Sequence, residues 1–266
     1  MSGRTLHWTE WGDARGKPVL FLHGFLGSGA DWEETAAQLG ANYRCIAVDL
    51  PGHGRTPPEL AAFPDCVDGL MRVMDAAGVE RCPWAGYSMG GRIALYAAAH
   101  QPHRISGLVL ESASPGLESA VARAERRAAD EKLAESLENE ALSAFLERWY
   151  DQPLFAPLKT HGERFGAVIA RRLRNRPGWL AQAMRGLGTG AQPSLWREWP
   201  TLDTPTHLIV GALDKKFTAI AETMAARRPA TRVTVAPGCG HNVHAEAPTA
   251  YARMLRNALD GRCSND

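Results

Sequence analysis

The sequence predicts an α/β protein: a mostly parallel β-sheet flanked by helices, with a helical cap inserted between two core strands. Short apolar runs of the kind that form buried parallel strands end at glycine- or serine-containing turns, at residues 18–22, 44–49, 82–85 and 105–111. Segments with helical spacing separate these runs. From about residue 114 to 199 only helical patterns occur, and strand patterns then resume.

Each element follows from a local pattern. Residues 5–11 can add an antiparallel edge strand, and a helix over 31–39 is closed by Gly40. Helices are predicted in the inserted block at 118–138, 141–150, 161–173 and 178–187, followed by strands at 206–211 and 232–235 and a helix at 248–259. We therefore expect a core of residues 1–112 and 200–266 and a cap of residues 113–199.

Composition excludes several classes of protein. The 266 residues carry a net charge of +1, with 45% hydrophobic and 22% charged residues, so neither nucleic acid nor an anionic membrane is expected as a partner. No apolar run approaches the ~20 residues of a membrane span, and residues 1–8 lack a secretory apolar segment, which favours the cytoplasm. The five scattered cysteines predict free thiols, with neither disulfides nor a metal site.

The pentapeptide Gly-Tyr-Ser-Met-Gly at residues 86–90 has the Gly-x-Ser-x-Gly form of a nucleophile elbow, although an incidental serine in a glycine-rich loop would look the same. In an elbow, Ser88 would lie above the sheet. The amide of Met89 would point at a developing oxyanion, and the amide of Phe25, in the loop after the first core strand, would supply the second donor.

A serine nucleophile needs an imidazole that a carboxylate orients. Asp214 and His241 each follow a predicted strand, in the chain order Ser, Asp, His. Taken alone, Asp214 would be interpreted as a loop or helix-capping residue. His244 is an alternative to His241 as the imidazole. The glycine before His241 favours His241, and His244 is then expected to pack or to cap a helix. The other turn histidines, His23 and His53, are interpreted as structural.

Arginines point to an anionic ligand. Arg92 lies one helical turn after Ser88, either in a salt bridge or as a clamp on an anionic substrate. In the cap, residues 164–185 contain many arginines and only Glu163 beside them, which indicates either solvated side chains or a site for several carboxylates. Trp149 is either cap core or a wall of the pocket.

Several motifs together resemble one family. They are Phe-Leu-His-Gly-Phe at 21–25, Asp-Leu-Pro-Gly-His-Gly at 49–54, Gly-Tyr-Ser-Met-Gly-Gly-Arg at 86–92, Arg-Ala-Glu-Arg at 123–126, Trp-Tyr-Asp-Gln-Pro at 149–153, Gly-Thr-Gly-Ala-Gln-Pro at 188–193 and Gly-His-Asn-Val-His at 240–244. This set resembles the 2-succinyl-6-hydroxy-2,4-cyclohexadiene-1-carboxylate synthases of menaquinone biosynthesis, which have the α/β-hydrolase fold.

The resemblance implies a lyase. It implies that Arg92, Arg126 and Arg172 bind substrate carboxylates, with Arg171 and Arg174 as alternatives to Arg172, and that Tyr87 and Trp149 line the pocket. The implied substrate is a tricarboxylate bearing an enolpyruvyl ether, from which pyruvate is eliminated without metal or cofactor. A carboxylesterase or carbon–carbon bond hydrolase acting through an acyl-enzyme is the alternative, and a receptor on a degenerate hydrolase fold is disfavoured by the intact triad.

Overall fold

A seven-stranded sheet forms the centre of the computed structural model, which describes residues 5–261. The strands are β1 (Trp8–Gly12), β2 (Lys17–Leu22), β3 (Tyr43–Val48), β4 (Cys82–Tyr87), β5 (Ile105–Glu111), β6 (Thr206–Gly211) and β7 (Arg232–Ala236), in the spatial order β1-β3-β2-β4-β5-β6-β7. Strand β1 is antiparallel to β3, and every other pair is parallel. The predicted edge strand and parallel core are confirmed.

Both faces of the sheet are covered, which explains the unbroken apolar runs. In β2, Leu20 and Leu22 belong to one apolar core, whereas Val19 and Phe21 belong to the core on the opposite face. The first core is completed by α2 (Phe63–Ala76), α3 (Met89–His100) and α9 (Lys215–Arg227); the second is completed by α1 (Glu33–Leu39) and α11 (Pro248–Leu259). The boundaries of α2 and α9 were not predicted from the sequence.

Between β5 and β6 the chain forms helices and no strand. These helices are α4 (Ala120–Asn139), α5 (Leu142–Tyr150), α6 (Ala156–Lys159), α7 (Gly162–Arg172) and α8 (Pro177–Leu187), and they bury a third apolar cluster of their own. Leu26, from the loop after β2, also belongs to this cluster. The helices predicted over 118–187 therefore exist, while the division into core and cap domains stays a prediction.

The sequence predicts no membrane span, no metal site and free cysteines, and the described residues bear on each of these. Within residues 5–261, no helix has the length and apolar character of a membrane span, and no cluster of metal-ligating side chains occurs. Cys45, Cys66, Cys82 and Cys239 are buried free thiols, and burial raises the pKa of Cys45 to about 12. The fifth cysteine, Cys263, lies outside the described residues.

Candidate active site

Ser88 occupies a strained turn between β4 and α3. Its φ of 49° and ψ of −106° lie outside the usual regions for a residue with a side chain. The flanking glycines are required by close backbone approach: a Cβ on Gly86 would lie 2.7 Å from the backbone of Gly90, and one on Gly90 would lie 2.2 Å from the Leu22 oxygen. The turn therefore has the geometry of a nucleophile elbow.

The three predicted triad residues meet at the carboxyl edge of the sheet. Ser88 Oγ lies 3.3 Å from His241 Nε2, and His241 Nδ1 lies 2.6 Å from Asp214 Oδ2. Asp214 and His241 are both buried, and the second oxygen of Asp214 accepts the amide of Phe217. With Nδ1–H donated to Asp214, Nε2 of His241 is free to accept the Ser88 proton.

His244 has a different partner. Its Nδ1 lies 2.7 Å from Glu111 Oε2, its amide donates to Glu111 Oε1 at 3.1 Å, and its ring stacks on Trp32 at 4.5 Å. Both His244 and Glu111 are buried. His244 is therefore held away from Ser88, in agreement with a packing role.

The loop after β2 is fixed by the two turn histidines. His23 Nε2 accepts the Leu50 amide at 3.0 Å, and His53 Nε2 accepts the Leu26 amide at 3.1 Å. Burial lowers the pKa of both histidines and so favours the neutral rings that these bonds require. Beside this loop, the amides of Phe25 and Met89 donate to no protein group within residues 5–261, which leaves them available to an oxyanion.

A cavity of about 420 Å³ opens over Ser88 and His241, between the sheet edge and the cap helices. Its lining includes Phe25, Met89, Arg92, Arg126 and Trp149, all of them predicted site residues. Trp149 stacks on Phe145 of the cap at 5.8 Å and also faces Phe25 at 5.3 Å. It is thus both cap core and cavity wall.

Arg92 is the unusual charge in this cavity. It is 8% exposed, and within the described residues its side chain contacts Gln192 Oε1 at 3.5 Å and makes no ion pair. Burial, and then the nearby positive charge of Arg126, lowers the pKa of Arg92 to about 10. The salt-bridge interpretation of Arg92 finds no support, because no carboxylate in residues 5–261 pairs with its guanidinium. A buried guanidinium without a carboxylate is costly unless an anion binds.

Other cations of the cavity differ in how far they are neutralised. Arg126 pairs through Nε with Asp130 at 2.7 Å, and Arg227 pairs with Glu118. Lys216, on the first turn of α9, also lines the cavity and has no ion pair within residues 5–261. Lys216 was not predicted as a site residue, although its position two residues after Asp214 is a signal that could have identified it.

Two of the predicted substrate-binding residues, Tyr87 and Arg172, lie outside this lining. Tyr87 is buried beneath it, 5.5 Å from the His241 ring and 4.9 Å from the His244 ring, and a Cβ on Gly24 would lie 2.5 Å from the Tyr87 ring. Arg172 is buried too, and donates to Asp31 Oδ1 at 2.8 Å and to the Tyr150 hydroxyl at 3.2 Å. The structure does not bring either side chain to the cavity, since each is held by packing partners elsewhere.

The arginine-rich stretch of the cap is largely paired. Arg164 binds Glu34, Arg171 joins Arg172 on Asp31, and Arg185 binds Glu131 and Glu138. Burial alone would raise the pKa of Asp31, but the charges of Arg172 and Arg171 hold it well below its usual range. The sequence left open whether these arginines are solvated or form a site for several carboxylates. In the structure, Arg164, Arg171, Arg172 and Arg185 are instead paired with acidic residues that are distant in sequence.

Comparison with known proteins agrees with this geometry. The model of the alpha/beta hydrolase fold family matches residues 17–248. A 2-succinyl-6-hydroxy-2,4-cyclohexadiene-1-carboxylate synthase from Enterobacter sp. (strain 638) is 35% identical, over 92% of this chain and 93% of the relative. The chain belongs to this synthase family.

Solved structures extend the likeness to three dimensions. MenH from S. aureus superimposes with a TM-score of 0.91 and 31% identity, covering 96% of this chain and 98% of the other. An esterase from Thermogutta terrifontis, solved with malate bound, reaches a TM-score of 0.84 with 26% identity, covering 96% and 93%. The synthase family and the esterases thus share one scaffold, and side chains of the site must distinguish their chemistry.

Proposed function

We propose that the protein is a lyase that eliminates pyruvate from 2-succinyl-5-enolpyruvyl-6-hydroxy-3-cyclohexene-1-carboxylate, a tricarboxylate, to give 2-succinyl-6-hydroxy-2,4-cyclohexadiene-1-carboxylate. The observation that carries this proposal is the buried, unpaired guanidinium of Arg92 one turn from Ser88. A neutral ester would leave that charge unpaired in the complex, whereas a carboxylate would neutralise it. Family membership supplies the identity of the substrate. A cytoplasmic location remains part of the proposal.

The geometry supports proton abstraction as the first step. Ser88 Oγ takes a proton from the carbon α to the succinyl ketone while its own proton passes to His241 Nε2, and Asp214 stabilises the resulting imidazolium. The electron pair moves to the ketone oxygen, where the amides of Phe25 and Met89 can donate to the enolate. When the ketone re-forms, the pair shifts into the ring and the carbon–oxygen bond to enolpyruvate breaks. The leaving group takes up the proton held by the His241 imidazolium and becomes pyruvate, which returns His241 to its neutral state.

The deciding experiment supplies the enolpyruvyl substrate to the purified enzyme and measures pyruvate. One pyruvate per substrate consumed is the expected result. We also expect slow turnover of neutral nitrophenyl esters, because they lack the carboxylates whose binding energy would position the reacting group. Efficient hydrolysis of such esters with no pyruvate from the enolpyruvyl substrate would instead favour the esterase alternative.

Lys216 provides a separate test of polyanion recognition. Lys216 lines the cavity and has no ion pair in the described chain, so Lys216→Ala is expected to raise KM. A charge-assisted hydrogen bond contributes roughly 1.5–3 kcal/mol when well formed. Because Lys216 is exposed, we expect the lower end or less, about three- to tenfold in kcat/KM.

Lys215→Ala is the matched control for that measurement. Lys215 is the neighbouring exposed lysine, but its Nζ donates to the Ala212 oxygen and it does not line the cavity. Equal kcat/KM in both variants and in the unsubstituted enzyme would remove Lys216 from the binding site.

A further inference from the structure

The backbone around His241 is held by a buried glutamate. Glu246, at the end of the short helix α10 (Val243–Glu246), turns its side chain back toward the loop that precedes the helix. Its Oε2 accepts the Gly240 amide at 2.5 Å, and its Oε1 accepts the Asn242 amide at 3.2 Å. These are the two residues that flank His241, so one carboxylate restrains the backbone on both sides of the imidazole.

Glu246 is buried and forms no salt bridge with a lysine or arginine of the described residues. The residue is 4% exposed, and no lysine or arginine in residues 5–261 forms an ion pair with it. Burial, helped by the charge of nearby Glu111, raises the pKa of Glu246, while the two amide hydrogen bonds and His161 oppose that rise. Burying a carboxylate is costly, and here the bonds that offset the cost are those to the amides beside His241.

A second buried carboxylate connects the same segment to the nucleophile. The backbone oxygen of Glu111 accepts the Ser88 amide at 2.8 Å, while the Glu111 side chain accepts both the amide and Nδ1 of His244. His244, three residues after His241, is thereby bound to the end of β5, and the same strand end binds the Ser88 amide. The two hydrogen bonds of Glu246 hold the loop that runs from β7 to His244.

The position of His241 is sensitive to small displacements. Its Nδ1 is close to Asp214 at 2.6 Å, but Nε2 is 3.3 Å from Ser88 Oγ, near the limit for a hydrogen bond. A backbone shift of a few tenths of an ångström would break that contact, and misplacement of a catalytic group by about 1 Å can cost about 100-fold in rate.

We propose that Glu246 is a positioning residue of the catalytic unit, whose carboxylate keeps the His241 imidazole between Asp214 and Ser88 by binding the amides of Gly240 and Asn242. The inference rests on Ser88, His241 and Asp214 acting as the catalytic unit in the proposed function. It does not depend on the identity of the substrate, because it concerns only how the base reaches the serine.

The test is Glu246→Gln, which keeps the shape of the side chain but places an amide donor against one of the two backbone donors. We expect kcat for pyruvate release to fall roughly 10- to 100-fold with KM changed less than about twofold. The rate at which a fluorophosphonate probe labels Ser88 should fall in parallel. This labelling needs no natural substrate, so absence of pyruvate with the unsubstituted enzyme would contradict the proposed function without affecting this result.

A spectroscopic readout reports the geometry directly. The proton between His241 Nδ1 and Asp214 should give a low-field ¹H NMR signal in the unsubstituted protein, because the 2.6 Å separation indicates a strong hydrogen bond. In Glu246→Gln this signal should shift or broaden. An unchanged signal together with unchanged labelling would overturn the proposal.

Two controls separate positioning from stability. Val73→Ala removes buried volume in α2, far along the chain from the loop, and should lower the melting temperature while leaving Ser88 labelling intact. Glu222→Gln makes the same chemical change at an exposed position of α9 and should change nothing. If Glu246→Gln behaves like Val73→Ala, the residue is only structural and the proposal fails.

Glu246→Asp provides the same test should the glutamine variant not fold. The aspartate keeps the negative charge but is one methylene shorter, so it cannot reach both amides at once. Slower labelling of Ser88 is again the expected result, and labelling at the unsubstituted rate would overturn the proposal.

Discussion

Replacing Ser88 with alanine is expected to lower the rate of pyruvate release by several orders of magnitude while leaving the fold intact. The side chain removed is the group that would take the substrate proton and pass its own to His241, and residues that act as one catalytic unit lose nearly all activity when one is deleted. The measurement is kcat on the enolpyruvyl substrate, with circular dichroism to verify folding. A folded Ser88→Ala enzyme with near-normal turnover would exclude the triad mechanism.

The two histidines provide the internal comparison for this prediction. His241→Ala should approach the defect of Ser88→Ala, because no other imidazole in the described chain contacts Ser88 Oγ. His244→Ala should instead lower stability, since it leaves the buried carboxylate of Glu111 without its imidazole partner. Activity must therefore be compared per folded molecule. A larger catalytic loss in His244→Ala than in His241→Ala would reverse the assignment.

Arg92→Ala is expected to reduce kcat/KM roughly ten- to several-hundred-fold. A charge-assisted hydrogen bond to a carboxylate contributes roughly 1.5–3 kcal/mol, and the anion left unpaired in a buried cavity adds to the loss; each factor of ten corresponds to about 1.4 kcal/mol. Arg92→Lys should recover only part of the activity, because a lysine cannot donate in the planar fork of a guanidinium. Arg92→Ala should also discriminate less between substrates. For an analogue that lacks one carboxylate, the substitution should lower kcat/KM by a smaller factor than it does for the full substrate.

Arg172→Ala tests whether that arginine binds substrate or holds the cap against the core. In the structure Arg172 is neutralised by Asp31 and lies outside the cavity lining, so we expect mainly a loss of stability. Removing one partner of a buried ion pair costs about 3–5 kcal/mol, and the lower end applies because Arg171 also contacts Asp31. At roughly 2–4 °C per kcal/mol, the melting temperature should fall by on the order of 10 °C.

The kinetic result for Arg172→Ala separates the two interpretations. Little change in kcat/KM per folded molecule would agree with the contacts to Asp31 and Tyr150. A loss of kcat/KM as large as that of Arg92→Ala, with an unchanged melting temperature, would restore the substrate-binding role that the family resemblance implies.

The sequence by itself determined the fold and the elbow. Continuous apolar runs such as Val19 to Leu22 occur because both faces of a parallel strand are buried, and that property is visible in the strand alone. The glycines at 86 and 90 are likewise local requirements, since the backbone passes too close for a side chain. The order Ser88, Asp214, His241 was predictable because each residue lies in the turn or loop that follows a parallel strand, and these strands end at the same edge of the sheet.

Only the tertiary structure decided which charges remain available to a ligand. Arg172 meets Asp31 across 141 positions of sequence, and Arg92 meets Gln192 across 100, so no local window reveals that the first is neutralised and the second is not. The same limit applies to Glu246, five residues after His241, whose side chain must fold back before its contacts with Gly240 and Asn242 exist. Electrostatic pairing depends on distance through space and on burial, and tertiary packing sets both.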